Sequence, residues 1–293
     1  MKYSGHESFS IRKDWLAKGI RKIDSFKKDE LTSMDELGIG KNMVKSLRYW
    51  LKVTGITIDE PKNKSIEFGL SPLGKIIKYN DRYTEELGTL WLLHYSLAKN
   101  KDFATSWYYF FNEFDVKEFT AEDFVSSLNK WDEMNNTKPA SVSSLTKDFD
   151  CLRRTYLPRL SENDSLKTEE NGPESNMECP FTELGLIKVA GKGLYRKTAP
   201  AKQNIPALII LAVILDQAKG EKEIKLSSLQ NDVNNIGKVF NLDAILMISL
   251  LSDLENKGYV QFVRTAGLDV LRIIKDLSFM DCVKQYYKEL GNE

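Results

Sequence analysis

The chain is nearly devoid of histidine and poor in cysteine. His6 and His94 are its two imidazoles in 293 residues, and Cys151, Cys179 and Cys282 stand far apart. Thiols so placed lack the paired short spacing of zinc sites, which argues against a Cys/His metal centre. Their odd number and separation argue against a disulfide framework and point to a reducing compartment. Long apolar runs are missing too: the longest, residues 207–215, is too short to span a bilayer. No signal-peptide pattern opens the sequence, so a cytoplasmic protein is expected. Net charge is absent, with 42 Lys and Arg against 42 Asp and Glu, so no global field draws the protein to nucleic acid. No glycine-rich loop ends in Lys-Ser or Lys-Thr, which argues against ATP use. No HNH, GIY-YIG or PD-(D/E)xK nuclease pattern can be placed on the sequence.

What is present is an ordinary globular composition, 42% hydrophobic and 29% charged, with a length suited to about two domains. The charge is unevenly laid out. Residues 1–52 hold twelve basic and seven acidic side chains; residues 112–133 hold two and seven, and residues 161–183 hold one and seven. Basic charge therefore collects at the N-terminal end.

Residues 38–52 organise that charge. Met43, Val44, Leu47, Trp50 and Leu51 recur at helical spacing and predict a buried stripe. Lys41, Lys45, Arg48 and Lys52 form a second stripe of one sign. A helix buried on one face and cationic on the other suits the major groove of DNA. Lys41 stands at the helix start, where the macrodipole disfavours a cation, and an external phosphate nearby would explain it. Upstream, residues 29–37 predict a first helix, with Gly38 and Gly40 supplying the turn. Downstream, Gly55 predicts the helix stop, and residues 56–58 and 65–70 read as strands around a loop carrying Pro61, Lys62, Asn63 and Lys64. Helix, turn, helix, basic-tipped hairpin is the order of a winged helix-turn-helix. Asn42 and Arg48 are the candidates for base edges, and Lys41, Lys45 and Lys52 for phosphates.

The remaining chain reads as mainly α. Helices are expected over 84–98, around the aromatics Trp107, Tyr108, Phe110, Phe111 and Phe114, from Thr120, and over 144–156. Aromatics at helical spacing read as core. Residues 161–180 shift to Glu, Asn, Ser, Gly and Pro, an exposed acidic linker in composition; Glu169, Glu170, Glu174 and Glu178 could alternatively form a Mg²⁺-binding carboxylate set. The C-terminal part predicts helices over 206–218, 226–240 and 242–257, the last stopped by Gly258, then strands over 259–264 and 268–274. That repeats the winged pattern with Asp243, Asp253 and Glu255 in place of lysines, a surface for packing or homodimerisation and not for phosphate. The expected organisation is an N-terminal winged helix-turn-helix (1–80), a helical segment (81–160), the linker (161–182) and a winged-helix-like C-terminal domain (183–293).

Several motifs together resemble the DUF4007 family. They are Gly5-His6-Glu7-Ser8-Phe9 with Arg12 and Trp15-Leu16-Ala17-Lys18-Gly19; Gly38 to Val44 with Arg48-Tyr49-Trp50; and Gly88-Thr89-Leu90-Trp91-Leu92-Leu93-His94-Tyr95. Trp107 with Phe110-Phe111-Asn112, Lys147-Asp148 before Cys151, and Pro180-Phe181 before Glu183-Leu184-Gly185-Leu186-Ile187 continue the resemblance. It implies a protein that handles DNA for a bacterial anti-phage system placing sulfur in the DNA backbone as phosphorothioate. It further implies nicking of one strand, beside a cysteine desulfurase, a P-loop ATPase and a PAPS-reductase-like enzyme. The residues themselves reach only the DNA-binding half of that statement.

Strand cleavage needs an activated nucleophile and cationic or metal stabilisation of the phosphorane-like charge. His6, Glu7 and Arg12 are the candidates for base and phosphate clamp, with Mg²⁺ or Mn²⁺ as the metal nicking would use. In the alternative, His6 and Glu7 pin the N-terminal segment onto the neighbouring helices. His94, on an apolar helix face, reads as a core histidine. Two further functions stay open: a non-catalytic DNA-binding adaptor or transcriptional regulator, and a scaffold whose basic stripe meets an acidic protein.

Overall fold

A computed structural model describes residues 1–62, 65–158, 179–265 and 268–291 and is mainly helical. The chain opens with α1 (Lys13–Arg21), α2 (Glu30–Leu37) and α3 (Lys41–Val53). The antiparallel hairpin β1 (Thr57–Lys62) and β2 (Ser65–Leu70) follows, then α4 (Pro72–Asn80). Local chemistry accounts for the ends of these helices. The Asp29 side chain accepts from the Thr32 amide to start α2, and Gly38 closes it in the left-handed region at φ 64°. Gly40, extended at φ −68°, caps α3, and Gly55 follows it at φ 77°. Of the two turn glycines, only Gly38 uses a positive φ.

The middle of the chain forms α5 (Leu87–Ala98), α6 (Thr105–Asn112), β3 (Glu118–Thr120), α7 (Ala121–Asn135) and α8 (Val142–Tyr156). Thr120 and Asp123 make a reciprocal capping box at the start of α7. Helix α5 begins three residues later than the sequence pattern predicts, because Thr84 adopts φ 55°, a left-handed conformation that no helix contains. Every side chain from Trp107 to Phe111 is buried, as read from the sequence. The expected linker falls almost entirely outside the described residues, and Glu169, Glu170, Glu174 and Glu178 with it.

Beyond residue 178 come β4 (Ile187–Gly191), β5 (Leu194–Lys197), α9 (Ala207–Ala218), β6 (Glu223–Lys225), α10 (Leu226–Asn231), α11 (Ile236–Val239), α12 (Ala244–Asn256), β7 (Val260–Thr265), β8 (Leu268–Ile273) and α13 (Phe279–Leu290). Three features depart from expectation. The helix predicted over 226–240 is broken into α10 and α11, with Asn234 left-handed at φ 63°. There Gly237 packs so closely that a Cβ would stand 2.2 Å from the Gln230 carbonyl oxygen. The C-terminal hairpin is part of a three-stranded sheet, β6-β8-β7. A second sheet, β3-β5-β4, joins residues on either side of the expected linker.

The apolar α9 is buried from Leu208 to Ile214 and packs against α12 and α13. Each of its leucine, isoleucine and valine side chains contributes about 1.5–3 kcal/mol by leaving water. From α13, the Tyr286 hydroxyl accepts from the Gly88 amide at 3.1 Å, and the hydroxyls of Tyr287 and Thr89 meet at 2.5 Å. The last helix is thereby fastened to the first turn of α5, and buried side chains from α1 through α13 make one continuous cluster. The three cysteines are free and buried. Among the described residues, no single helix is long and apolar enough to cross a membrane.

Candidate nucleic-acid interface

Helix α3 is two-sided, as its sequence requires. Leu47, Trp50, Leu51 and Val53 are buried and Met43 and Val44 half-buried, while Lys41, Asn42, Lys45 and Arg48 are exposed. The cationic row, however, is not a uniform open stripe. Lys41 meets the Glu30 carboxylate at 2.9 Å, and Lys52 meets Asp59 at 2.6 Å while lying 4.1 Å from the centre of the Phe103 ring. The Arg48 guanidinium stacks 4.4 Å above Phe68 and reaches the Phe26 carbonyl at 3.5 Å. Lys45 forms no ion pair among the described residues. The anion facing Lys41 at the helix start is thus the protein's own Glu30, and no external phosphate is required to explain it. Exposed pairs of this kind contribute roughly 0–1 kcal/mol, so a phosphate can displace either carboxylate at little cost. At the hairpin, the β1-β2 register runs from Thr57 opposite Leu70 to Lys62 opposite Ser65; Asn63 and Lys64 lie outside the described residues.

The N-terminal motif around His6 is anchored from several elements. His6 is fully buried. Its Nε2 stands 2.9 Å from Asp148 Oδ1 on α8, and the Ser8 amide points at its Nδ1 at 3.0 Å. Asp148 also accepts from the Ser4 amide at 2.8 Å and from the Ser106 hydroxyl at 2.6 Å. The Ser46 hydroxyl of α3 donates to the His6 carbonyl and the Trp50 indole to that of Phe9. Arg154 donates to the Ser8 carbonyl at 2.8 Å. Burial opposes charge on the His6 ring, yet Cys151 and Asp148 outweigh it and push the pKa up to about 10. The Ser8 amide pulls the other way, because it needs a lone pair on Nδ1 that an imidazolium lacks. The hydrogen-bond pattern is met in full by the neutral ring carrying its proton on Nε2.

These contacts hold a strained backbone. Ser4, Glu7 and Ser8 all take positive φ, of 53°, 49° and 67°, which costs of order 1 kcal/mol each. Gly5 lies against Tyr49, where a Cβ would come within 2.5 Å of the ring. The result is a plug that ties α3 to α6 and α8. Of the three residues expected to cleave DNA, His6 is enclosed with both ring nitrogens engaged. Arg12 is 9% exposed with its guanidinium 5.1 Å from the centre of the Trp15 ring, and only Glu7 faces solvent. The structure does not assemble them into one open site. Asp148, quoted within a motif but given no role from sequence, is the residue on which the loop converges; a lone aspartate in a helix carries no signal of a partner 142 positions away.

His94 is enclosed in the core. Its Nε2–H donates to the Val239 carbonyl at 2.6 Å and its Nδ1 accepts from the Tyr156 hydroxyl at 2.8 Å. Burial holds the ring neutral and lowers its pKa to about 4. Among the described residues, no three His, Cys, Asp or Glu side chains gather to hold a metal ion.

With this geometry in view, the molecule is a mainly helical protein in which α3, buried on one face and open on the other, precedes an antiparallel hairpin. Residues 3–287 match the model of DUF4007, described as a protein of unknown function, and the chain belongs to that family. No curated protein matches it. Its fold is similar to the crystal structures of SspB and of magnesium ion-bound SspB. Each has a TM-score of 0.82 and 25% sequence identity, covering 100% of this chain and 89% of the other.

Proposed function

We propose that this protein is the DNA-engaging component of a phosphorothioation system, contacting duplex through a winged helix-turn-helix made of α2, α3 and the β1-β2 hairpin. The observation that carries the reading is the exposed group Asn42, Lys45 and Arg48 on the outward face of α3, directly before the hairpin. Asn42 and Arg48 are assigned to base edges and Lys41, Lys45 and Lys52 to phosphates. Family membership and the likeness to SspB support the placement in that system. The partners would then be a cysteine desulfurase, a P-loop ATPase and a PAPS-reductase-like protein, with protein contacts or a homodimer through the C-terminal part, where Asp243 caps α12, Asp253 pairs with Lys202 and Glu255 accepts from the Phe262 amide. Lys45→Ala with Arg48→Ala should weaken duplex binding and flatten its salt dependence. Unchanged affinity in a gel-shift titration overturns this assignment.

Nicking of one strand with Mg²⁺ or Mn²⁺ is the reaction that the family resemblance adds, and SspB itself has a magnesium ion-bound form. A second reading, a non-catalytic adaptor or regulator, is favoured by the enclosure of His6 and Arg12. Supercoiled plasmid incubated with the pure protein separates the two: open circles that require the metal support nicking, and intact supercoils support the adaptor.

A further inference from the structure

A second basic surface is built without any residue of α3. The C-terminal turns of α1 and α4, with the turn that follows α4, enclose an open cleft of about 520 Å³. Four cations line it: Lys18 and Arg21 from α1, Lys78 from α4, and Arg82 from the turn; Asp14 is the one carboxylate among the lining residues. A cation in the last turn of a helix is ordinary, because the macrodipole favours it. That explains Lys18, Arg21 and Lys78 one at a time. It does not explain why three elements bring their cations to one concavity, nor why none of the four forms an ion pair among the described residues. Lys41 and Lys52, by contrast, each hold a carboxylate.

The cleft also holds two tyrosines that face water. Tyr79 is 85% exposed, the most exposed large apolar side chain described, and Tyr83 is 50% exposed. The Arg82 guanidinium sits 4.7 Å from the centre of the Tyr83 ring, so that pair already forms a stacked cationic platform. The backbone beneath is tied by hydrogen bonds. Asp81, 8% exposed, accepts from the amides of Glu85 and Glu86 at 3.0 Å, and its carbonyl accepts from Thr84. Thr84 is held at φ 55°, costly for a β-branched residue. A strained, carboxylate-locked turn keeps Arg82 and Tyr83 beside Tyr79.

Converging cations beside open aromatic faces match one polymer in particular. Phosphates satisfy the cations, and an unstacked base satisfies the ring. A duplex offers phosphates but no free base face, since its bases stack on each other. We infer that the cleft between α1 and α4 binds single-stranded DNA, with phosphates on Lys18, Arg21, Lys78 and Arg82 and a base stacked on Tyr79. This rests on the proposed handling of DNA and adds a separate site for an opened strand.

Fluorescence anisotropy with a labelled oligothymidylate, and in parallel with a labelled duplex, tests it. Wild-type protein should bind the single strand. Tyr79→Ala should weaken that binding about tenfold, and Tyr79→Phe should keep it, because stacking needs the ring and not the hydroxyl. Arg21→Gln with Arg82→Gln should reduce the log–log salt slope by about 1.4, two phosphate contacts on a single strand. Duplex affinity should be unaltered by Tyr79→Ala and reduced by Lys45→Ala. The inference is overturned if wild type ignores the oligothymidylate at low salt, if Tyr79→Ala binds it as wild type does, or if polyglutamate competes equally well at matched charge. Loss of the Lys45 effect alone would remove the assignment of α3 and leave the cleft standing. All substituted positions but Lys45 line the cleft, none is buried, and a thermal melt confirms that each variant is folded.

Discussion

His6 and Asp148, 142 residues apart in sequence, meet at 2.9 Å in a space closed to water. Trp50 stacks on the imidazole with ring centres 6.3 Å apart, and Trp107 meets it edge-on at 5.8 Å. Removing the imidazole leaves a buried carboxylate short of one donor and a cavity between two indoles. His6→Ala should therefore lower stability by about 3 kcal/mol, read as a lower urea midpoint at unchanged slope. A variant as stable as wild type that has lost activity would instead make His6 a catalytic base.

The pairing of Lys41 with Glu30 predicts an effect of opposite sign. Glu30→Gln releases Lys41 and removes a carboxylate from the surface assigned to phosphate, so duplex affinity should rise, by about twofold to fivefold at low salt. Asp59→Asn should act likewise through Lys52. Affinity that falls, or stays level, in both variants would show that α3 does not meet the DNA backbone.

His94 links stability to pH. Its ring is neutral in the folded protein, with a pKa of about 4, against 6.5 for the free side chain. As pH falls below 6.5 the unfolded chain takes up a proton that the folded protein refuses. The contribution is therefore complete above pH 6.5 and is lost progressively down to about pH 4, amounting to roughly 3 kcal/mol. His94→Gln, which can still donate to Val239 and accept from Tyr156, should flatten the acid limb by one proton. Parallel urea midpoints for both proteins across pH 7.5 to 4.5 would reject this account.

Gly74 marks where α4 closes onto the connection between α3 and β1. A Cβ there would stand 2.0 Å from the Ile56 carbonyl oxygen, a backbone atom that cannot swing aside. Gly74→Ala should cost about 3 kcal/mol or more. Gly40→Ala, with open space around it, should cost about 1 kcal/mol or less. Thermal melts of the two variants that agree within a degree would refute the contrast.

The helical character and the α2-turn-α3-hairpin order were legible in sequence because their signals are local. Asp29 caps its own helix, Gly38 turns left-handed, and Leu47, Trp50 and Leu51 share a face by helical period. The break between α10 and α11 was hidden, since an apolar period continues through it and only the packing of Gly237 on Gln230 demands the interruption. The β3-β5-β4 sheet was hidden as well: Glu118–Thr120 is three residues long, and its partner strand lies beyond residue 190.

For the candidate site, composition and spacing determined which side chains α3 turns outward and that four of them are cationic. Only the tertiary structure decided what those cations face, with Glu30 and Asp59 claiming Lys41 and Lys52 while Lys18, Arg21, Lys78 and Arg82 gather around two open tyrosines. The reason is one of range. A helix face repeats within a few residues along the chain, whereas the partner of a charge is chosen within a few ångströms of space, among residues that the fold brings from anywhere in the sequence.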